Sequence, residues 1–177
     1  MPFLGSKSGH EACGVRIRDY LELKDGRSRA IAHDFVNIHG KDHQRNWGYV
    51  MDRTRETFGN DKSWRGKDAV TYNHFVVSPD PRDGVDVDTL RELTMRWVHE
   101  FFGDGATAGR LGNYEVAVVY HDDNENRVPH AHVIVNNTDL DSGRRLHRNN
   151  HVNEHAVTNR LQEKAKDMGL RHFDNDE

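Results

Sequence analysis

The chain has 177 residues, 34% hydrophobic and 31% charged, with a formal net charge of −4. That length suits one domain with a real core, the apolar content argues against wholesale disorder, and no apolar run approaches the roughly 18–20 residues of a membrane span. A single cysteine, Cys13, excludes an internal disulfide framework and suits a reducing cytoplasm, and the acidic balance gives no global electrostatic reason to expect a nucleic-acid partner.

Residues 1–14, rich in Gly and Ser and without the apolar region of a secretory signal, read as a flexible leader. "VRIRDYLEL" (15–23) starts as a short strand and passes into a helix, and "DGRSRA" closes it with a turn. In 30–38 the apolar residues Ile31, Phe35 and Ile38 carry a weak helical or mixed signal, and 40–46 is polar. Trp47, Val50, Met51, Thr54 and Phe58 recur at helical spacing, with Gly59-Asn60 as a stop. "AVTYNHFVVS" (69–78) is β-branched and aromatic, so a strand is expected, ended by Pro79 and Pro81. An amphipathic helix follows, with an aspartate cap, Leu90, Leu93, Trp97 and Phe101 on one face, and Gly103 at its end. After a flexible loop, 114–121 and 130–137 read as the strands of an antiparallel hairpin. A turn-rich stretch leads to a last helix with Val157, Leu161, Ala165 and Met168 on one side and Gly169 just past its end. The expected fold is α+β, a mostly antiparallel sheet flanked by helices, over 15–173, with 174–177 as an acidic tail.

The most informative stretch is "YHDDNENRVPHAHVIVNN" (120–137). Alternation puts Ala131, Val133 and Val135 on one face of the second strand and His130, His132, Ile134 and Asn136 on the other. Alternate Cα atoms lie about 7 Å apart, so the two imidazoles can converge on one ion, and a hairpin can bring His121 beside them. Three neutral imidazoles would leave coordination positions open for substrate. Asp122 and Asp123 are candidates to orient a ring by accepting its other N–H, and Asn136 to position a ring or substrate. The plain alternative is a hairpin with surface histidines. Arg144 and Arg145, in "RRLHR", and the clusters "RSR" (27–29) and "RGK" (65–67) are candidate phosphate contacts, or solvated loop charges. His74 on its own strand reads as a satisfied sheet residue.

These residues resemble the metal motif of the HUH endonucleases. "HAH" supplies the His–hydrophobic–His pair, and the fuller pattern is similar to conjugative and mobilisation relaxases of the MOBP class. "HFVVSPDP" and "NTDLDSGRRLH" resemble the segments flanking that motif. The resemblance implies a central antiparallel sheet flanked by helices and a divalent ion, Mg²⁺ or Mn²⁺, bound by His121, His130 and His132. It further implies a tyrosine that attacks a phosphate of single-stranded DNA at a transfer origin, leaving a 5′-phosphotyrosyl enzyme. "RIRDYLELKDGR" resembles the nucleophile motif, with Tyr20 in the matching place, and Tyr49 is the next candidate. Accessory mobilisation proteins and a cytoplasmic location are further expectations. Two rivals are a DNA-binding remnant that no longer nicks, and a metal-dependent hydrolase that uses water without a tyrosyl intermediate.

Overall fold

The computed structural model describes residues 3–10, 12, 16–63, 66, 68–103, 111–146 and 152–172. Cys13, Arg65, Lys67, His147, Arg148 and the acidic tail lie outside the described residues. Among the described residues seven strands and five α-helices follow in chain order: β1 (Phe3–Gly9), α1 (Arg18–Glu22), β2 (Leu23–Lys24), β3 (Arg27–Ser28), β4 (Ala32–Val36), α2 (Lys41–Arg45), α3 (Trp47–Phe58), β5 (Tyr72–Ser78), α4 (Val87–Phe102), β6 (Val116–His121), β7 (His130–Asn136) and α5 (Val152–Asp167). Five strands form one antiparallel sheet in the order β1-β5-β7-β6-β4, and β2-β3 is a separate hairpin.

The period-2 pattern of β6 and β7 makes this a three-layer molecule. Val116, Val118 and Tyr120 of β6 share one face with Ala131, Val133 and Val135 of β7, and pack under Leu90, Leu93 and Trp97 of α4 and Leu161 and Ala165 of α5. Ala117, Val119 and Ile134 point the other way, under Leu21 of α1 and Trp47 and Met51 of α3. Each large side chain fully buried here contributes roughly 1.5–3 kcal/mol. The caps match the sequence: the Asp86 side chain accepts from the Thr89 N–H at the start of α4, and Gly59 ends α3 in a left-handed conformation.

Several expectations are corrected. Residues 3–9 are not a loose leader but edge strand β1, paired with β5 along its whole length. The segment has few β-branched residues, and its strand state comes from the ladder it joins. Residues 32–36 form β4 rather than a helical or mixed segment, because pairing with β6 overrides a weak local signal. The polar 40–46 stretch contains α2. Residues 23–28 form the β2–β3 hairpin rather than a simple turn, and residues 16–17, immediately ahead of α1, are helical rather than extended. No helix of the described residues is long and apolar enough to cross a membrane.

Candidate metal centre and active site

The hairpin register sets His121, the last residue of β6, directly opposite His130, the first of β7. His132 lies between Val119 of β6 and Val76 of β5, on the sheet face covered by α1 and α3. Ring centroids are 5.6 Å apart for His121–His130, 4.7 Å for His121–His132 and 5.1 Å for His130–His132. One nitrogen from each ring lies within 4.8 Å of the others. His121 is fully buried, while His130 and His132 are half-buried and open toward solvent. The expected convergence is therefore present.

Each ring has one nitrogen engaged. His121 Nε2 donates to the Leu21 carbonyl at 2.6 Å, and His130 Nδ1 donates to the Val128 carbonyl at 3.2 Å. His132 Nδ1 meets His74 Nε2 at 2.9 Å. These bonds leave His121 Nδ1, His130 Nε2 and His132 Nε2 as the nitrogens that could hold a metal. His121 Nδ1 is buried and has no hydrogen-bond partner. Burial holds the His121 and His132 imidazoles below the usual histidine range, His132 at about 2, with His74 and the neighbouring histidines adding to the effect there. His74 is pushed down to about 4 by burial, then by Lys7 and His121. Rings this hard to protonate keep a lone pair at neutral pH.

The expected ring partners are corrected. Asp122 pairs with Arg127 at 3.7 Å, and Asp123 accepts from Arg29 at 2.9 Å, so neither bonds a ring; two backbone carbonyls and His74 take that place. Asn136 sits at the far end of β7, where its side chain bonds Arg55, the Met51 carbonyl, Glu115 and the Asn137 N–H. It pins α3 to the sheet and touches none of the three histidines. Arg145 donates to the carbonyls of Lys62 and Gly59, while the Arg144 side chain is exposed. Both stand beyond that same far end of β7, roughly 25 Å along the strand from His130 rather than beside the triad.

Of the five tyrosines, Tyr72, Tyr114 and Tyr120 are buried, whereas Tyr20 is 63% and Tyr49 55% exposed. Tyr120 packs on the opposite face and donates to Asp34 at 2.8 Å. Tyr20 precedes Leu21, the residue bonded to His121, so α1 brings it to the edge of the histidine cluster. Arg29 lies over its ring at 5.4 Å, donates to its carbonyl, and reaches across to Asp123. Arg18, two residues before Tyr20, donates to the Arg45 carbonyl and to Asp19. Sequence reasoning missed His74 as the partner of His132 and Arg29 as the neighbour of Tyr20. The second had a faint signal in "RSR"; the first had none, because the contact joins residues 58 apart.

A five-stranded antiparallel sheet with helices on both faces and a His-x-His pair in its central strand defines an HUH-type nuclease fold. A family model described as "Relaxase: MobA/VirD2-like, nuclease domain" matches residues 20–170, and the chain belongs to that family. It is an HUH relaxase domain, of a DNA-binding class that serves plasmid mobilisation. Among solved structures it is similar to the Mn-bound MobM relaxase domain (MOBV; Mob_Pre) on plasmid pMV158 oriT DNA at pH 6.8, with 14% identity, TM-score 0.63, and coverage of 97% of this chain and 88% of that one. A second MobM complex at pH 6.5 gives 15% identity and TM-score 0.60, covering 97% of this chain and 86% of that one. The copper-bound conjugative relaxase TrwC with oriT DNA gives 14% identity and TM-score 0.53, covering 98% of this chain and 74% of that one. At such identities the likeness shows the fold. No curated protein matches the chain.

Proposed function

We propose that this domain, spanning 15–173 together with β1, nicks single-stranded DNA at a transfer origin by tyrosine transesterification at a divalent metal. The observation that carries it is the cluster of three imidazole nitrogens within 4.8 Å, each ring's other nitrogen engaged, beside the exposed Tyr20. The donor set fits an ion. His121 Nδ1 is an orphaned buried atom aimed into the cluster, and small ring rotations would bring three lone pairs to bonding distance. His121, His130 and His132 would hold Mg²⁺ or Mn²⁺, with phosphate oxygens completing a shell that an all-imidazole site leaves hard-ion poor. When bound, the ion offsets negative charge developing on the phosphate.

The chain's own residues supply the rest. Tyr20 Oη forms a bond to phosphorus as the bond from phosphorus to the 3′ oxygen breaks. The phenol proton leaves to solvent at this exposed hydroxyl, and the departing oxygen takes up a proton to become a 3′-OH. A 5′-phosphotyrosyl bond conserves the energy needed for rejoining. Arg29 keeps positive charge over the phenol ring, and Asp123 holds that guanidinium. Arg144 and Arg145 contact the strand away from the scissile position, Arg145 by the donors its loop carbonyls leave over. We place the reaction in the cytoplasm, with accessory mobilisation proteins presenting the origin.

Incubating the protein with Mn²⁺ and labelled single strands spanning candidate transfer origins tests this reading. A covalent protein–DNA adduct mapping to Tyr20 is expected. Cleavage without an adduct would replace it by water-driven hydrolysis, and binding without cleavage by a DNA-binding remnant.

A further inference from the structure

Beside β4, the open edge of the sheet, α1 and α2 border a groove of about 670 Å³ lined by residues including Arg18, Glu22, His33, Phe35, Lys41 and Arg45. Its acids are already matched. Glu22 accepts from His33 Nε2 at 2.8 and 2.9 Å and from Trp47 Nε1 at 3.0 Å. Burial alone would raise the Glu22 carboxyl, but those bonds outweigh it and keep the group ionised. Asp34, also on the wall, accepts twice from Arg91 at 3.0 Å and once from Tyr120. Lys41 and Arg45, by contrast, are exposed, and among the described residues their side chains have no hydrogen bond or ion pair. The groove therefore presents uncompensated positive charge on a protein of net charge −4.

The wall also carries a stacked aromatic pair that serves as a platform. His33 and Phe35, two apart on β4, project from the same face with rings 6° from parallel and centroids 5.9 Å apart. Glu22 fixes the His33 ring by gripping Nε2, and both residues are only half-buried. Cations beside an aromatic plane, next to an open edge, make the combination by which proteins hold unpaired nucleotides. Position agrees. His33 pairs with Val119, and Val119 with His132, so the platform lies two strand spacings, about 10 Å, from the histidine cluster on the same face. The helix that lines the groove with Arg18 and Glu22 also carries Tyr20.

We propose that this groove is a nucleotide subsite for the single strand flanking the scissile phosphate. A base stacks on the His33–Phe35 platform and its phosphate meets Lys41 and Arg45. The inference rests on the reading above only in taking single-stranded DNA as the ligand; it needs neither the metal nor the tyrosine.

The test is a fluorescence-anisotropy titration of the full chain, in EDTA, with a labelled oligothymidylate and with labelled origin-region single strands, across a salt series. Lys41→Ala with Arg45→Ala should weaken binding at low salt and flatten the log–log salt slope by about 1.4, two phosphates at roughly 0.7 each. Phe35→Leu, which keeps an apolar side chain but loses the ring, should weaken binding several-fold with the slope unchanged. Should Phe35→Leu fold poorly by circular dichroism, the exposed Lys41/Arg45 pair decides alone. A parent protein that binds single strands, with a double variant that binds identically, overturns the subsite and leaves the nicking reading intact. Competition by inorganic phosphate as strong as by the oligonucleotide also overturns it, since the groove would then be a plain anion site. A parent that binds no single strand overturns both.

Discussion

His74 and Tyr20 show how much of this site depends on single contacts. For His132 to offer a lone pair at Nε2, its Nδ1 carries the proton, and that N–H needs an acceptor, which His74 Nε2 provides at 2.9 Å. We expect His74→Leu to lower Mn²⁺ affinity roughly 10–100-fold by calorimetry, while His74→Gln, which keeps an acceptor, loses less. Tyr20 differs from a packing tyrosine by its exposure and by Arg29 over its ring. Tyr20→Phe removes only the attacking oxygen, so it should retain its fold, Mn²⁺ binding and strand binding while forming no adduct on a denaturing gel. Tyr49→Phe should still form one; an adduct that vanishes only in Tyr49→Phe would move the nucleophile there.

At the scale of elements, strands and helices are joined by a few specific close fits. A Cβ at Gly9 would come within 2.1 Å of the Tyr72 ring, so β1 can lie flat on β5 only with glycine at that position. Gly9→Ala should therefore cost about 1–3 kcal/mol in denaturant unfolding, as overpacking does; an unchanged midpoint would mean that β1 contributes little to the sheet. Directly opposite Tyr72 on the neighbouring strand, Asn136 joins β7 to α3 through Arg55 and the Met51 carbonyl. Asn136→Ala leaves buried partners unsatisfied and should cost roughly 1–3 kcal/mol with Mn²⁺ affinity unaltered. A selective loss of metal binding would restore a site role to this residue. Helix α1 has only five residues and no side-chain cap. Its place depends on Leu21 in the core, on the bond from His121, and on Arg29 reaching Asp123.

Over the whole molecule, the sheet divides the labour. One face, under α4 and α5, is a continuous apolar core, while the other gives up part of its core to histidines, Tyr20 and a cationic groove. This division explains how a chain of net charge −4 can suit a polyanion: the acids lining the groove, Glu22 and Asp34, are bonded locally, while Lys41 and Arg45 beside them are exposed. Single-strand affinity should accordingly fall with salt, with a log–log slope of roughly −0.7 per phosphate contacted, and Arg144→Ala should reduce its magnitude by about 0.7. Arg145 is also tied to loop carbonyls, so Arg145→Ala should lower thermal stability as well as the slope. A salt-independent affinity would rule out an electrostatic path for the strand.

The strands and helices with strong local periodicity were legible from residues alone: α3 and α4 from apolar spacing and end signals, β6 and β7 from alternation, and the histidine pair from its period of two. The α+β class and the convergence of His121 on His130 and His132 followed, because a hairpin is a local structure whose register short-range pattern determines. Other features depended on residues distant in sequence and carried no local signal. Strands β1 and β4 exist through the partners they join at the sheet's two edges. His74 meets His132, and Asp123 meets Arg29, across 58 and 94 residues. Which tyrosines stay exposed was likewise settled only when the helices on both faces and the sheet closed over the others. Backbone periodicity determines elements one at a time; the orientation of a ring, the partner of a charge and the exposure of a hydroxyl belong to the packed assembly.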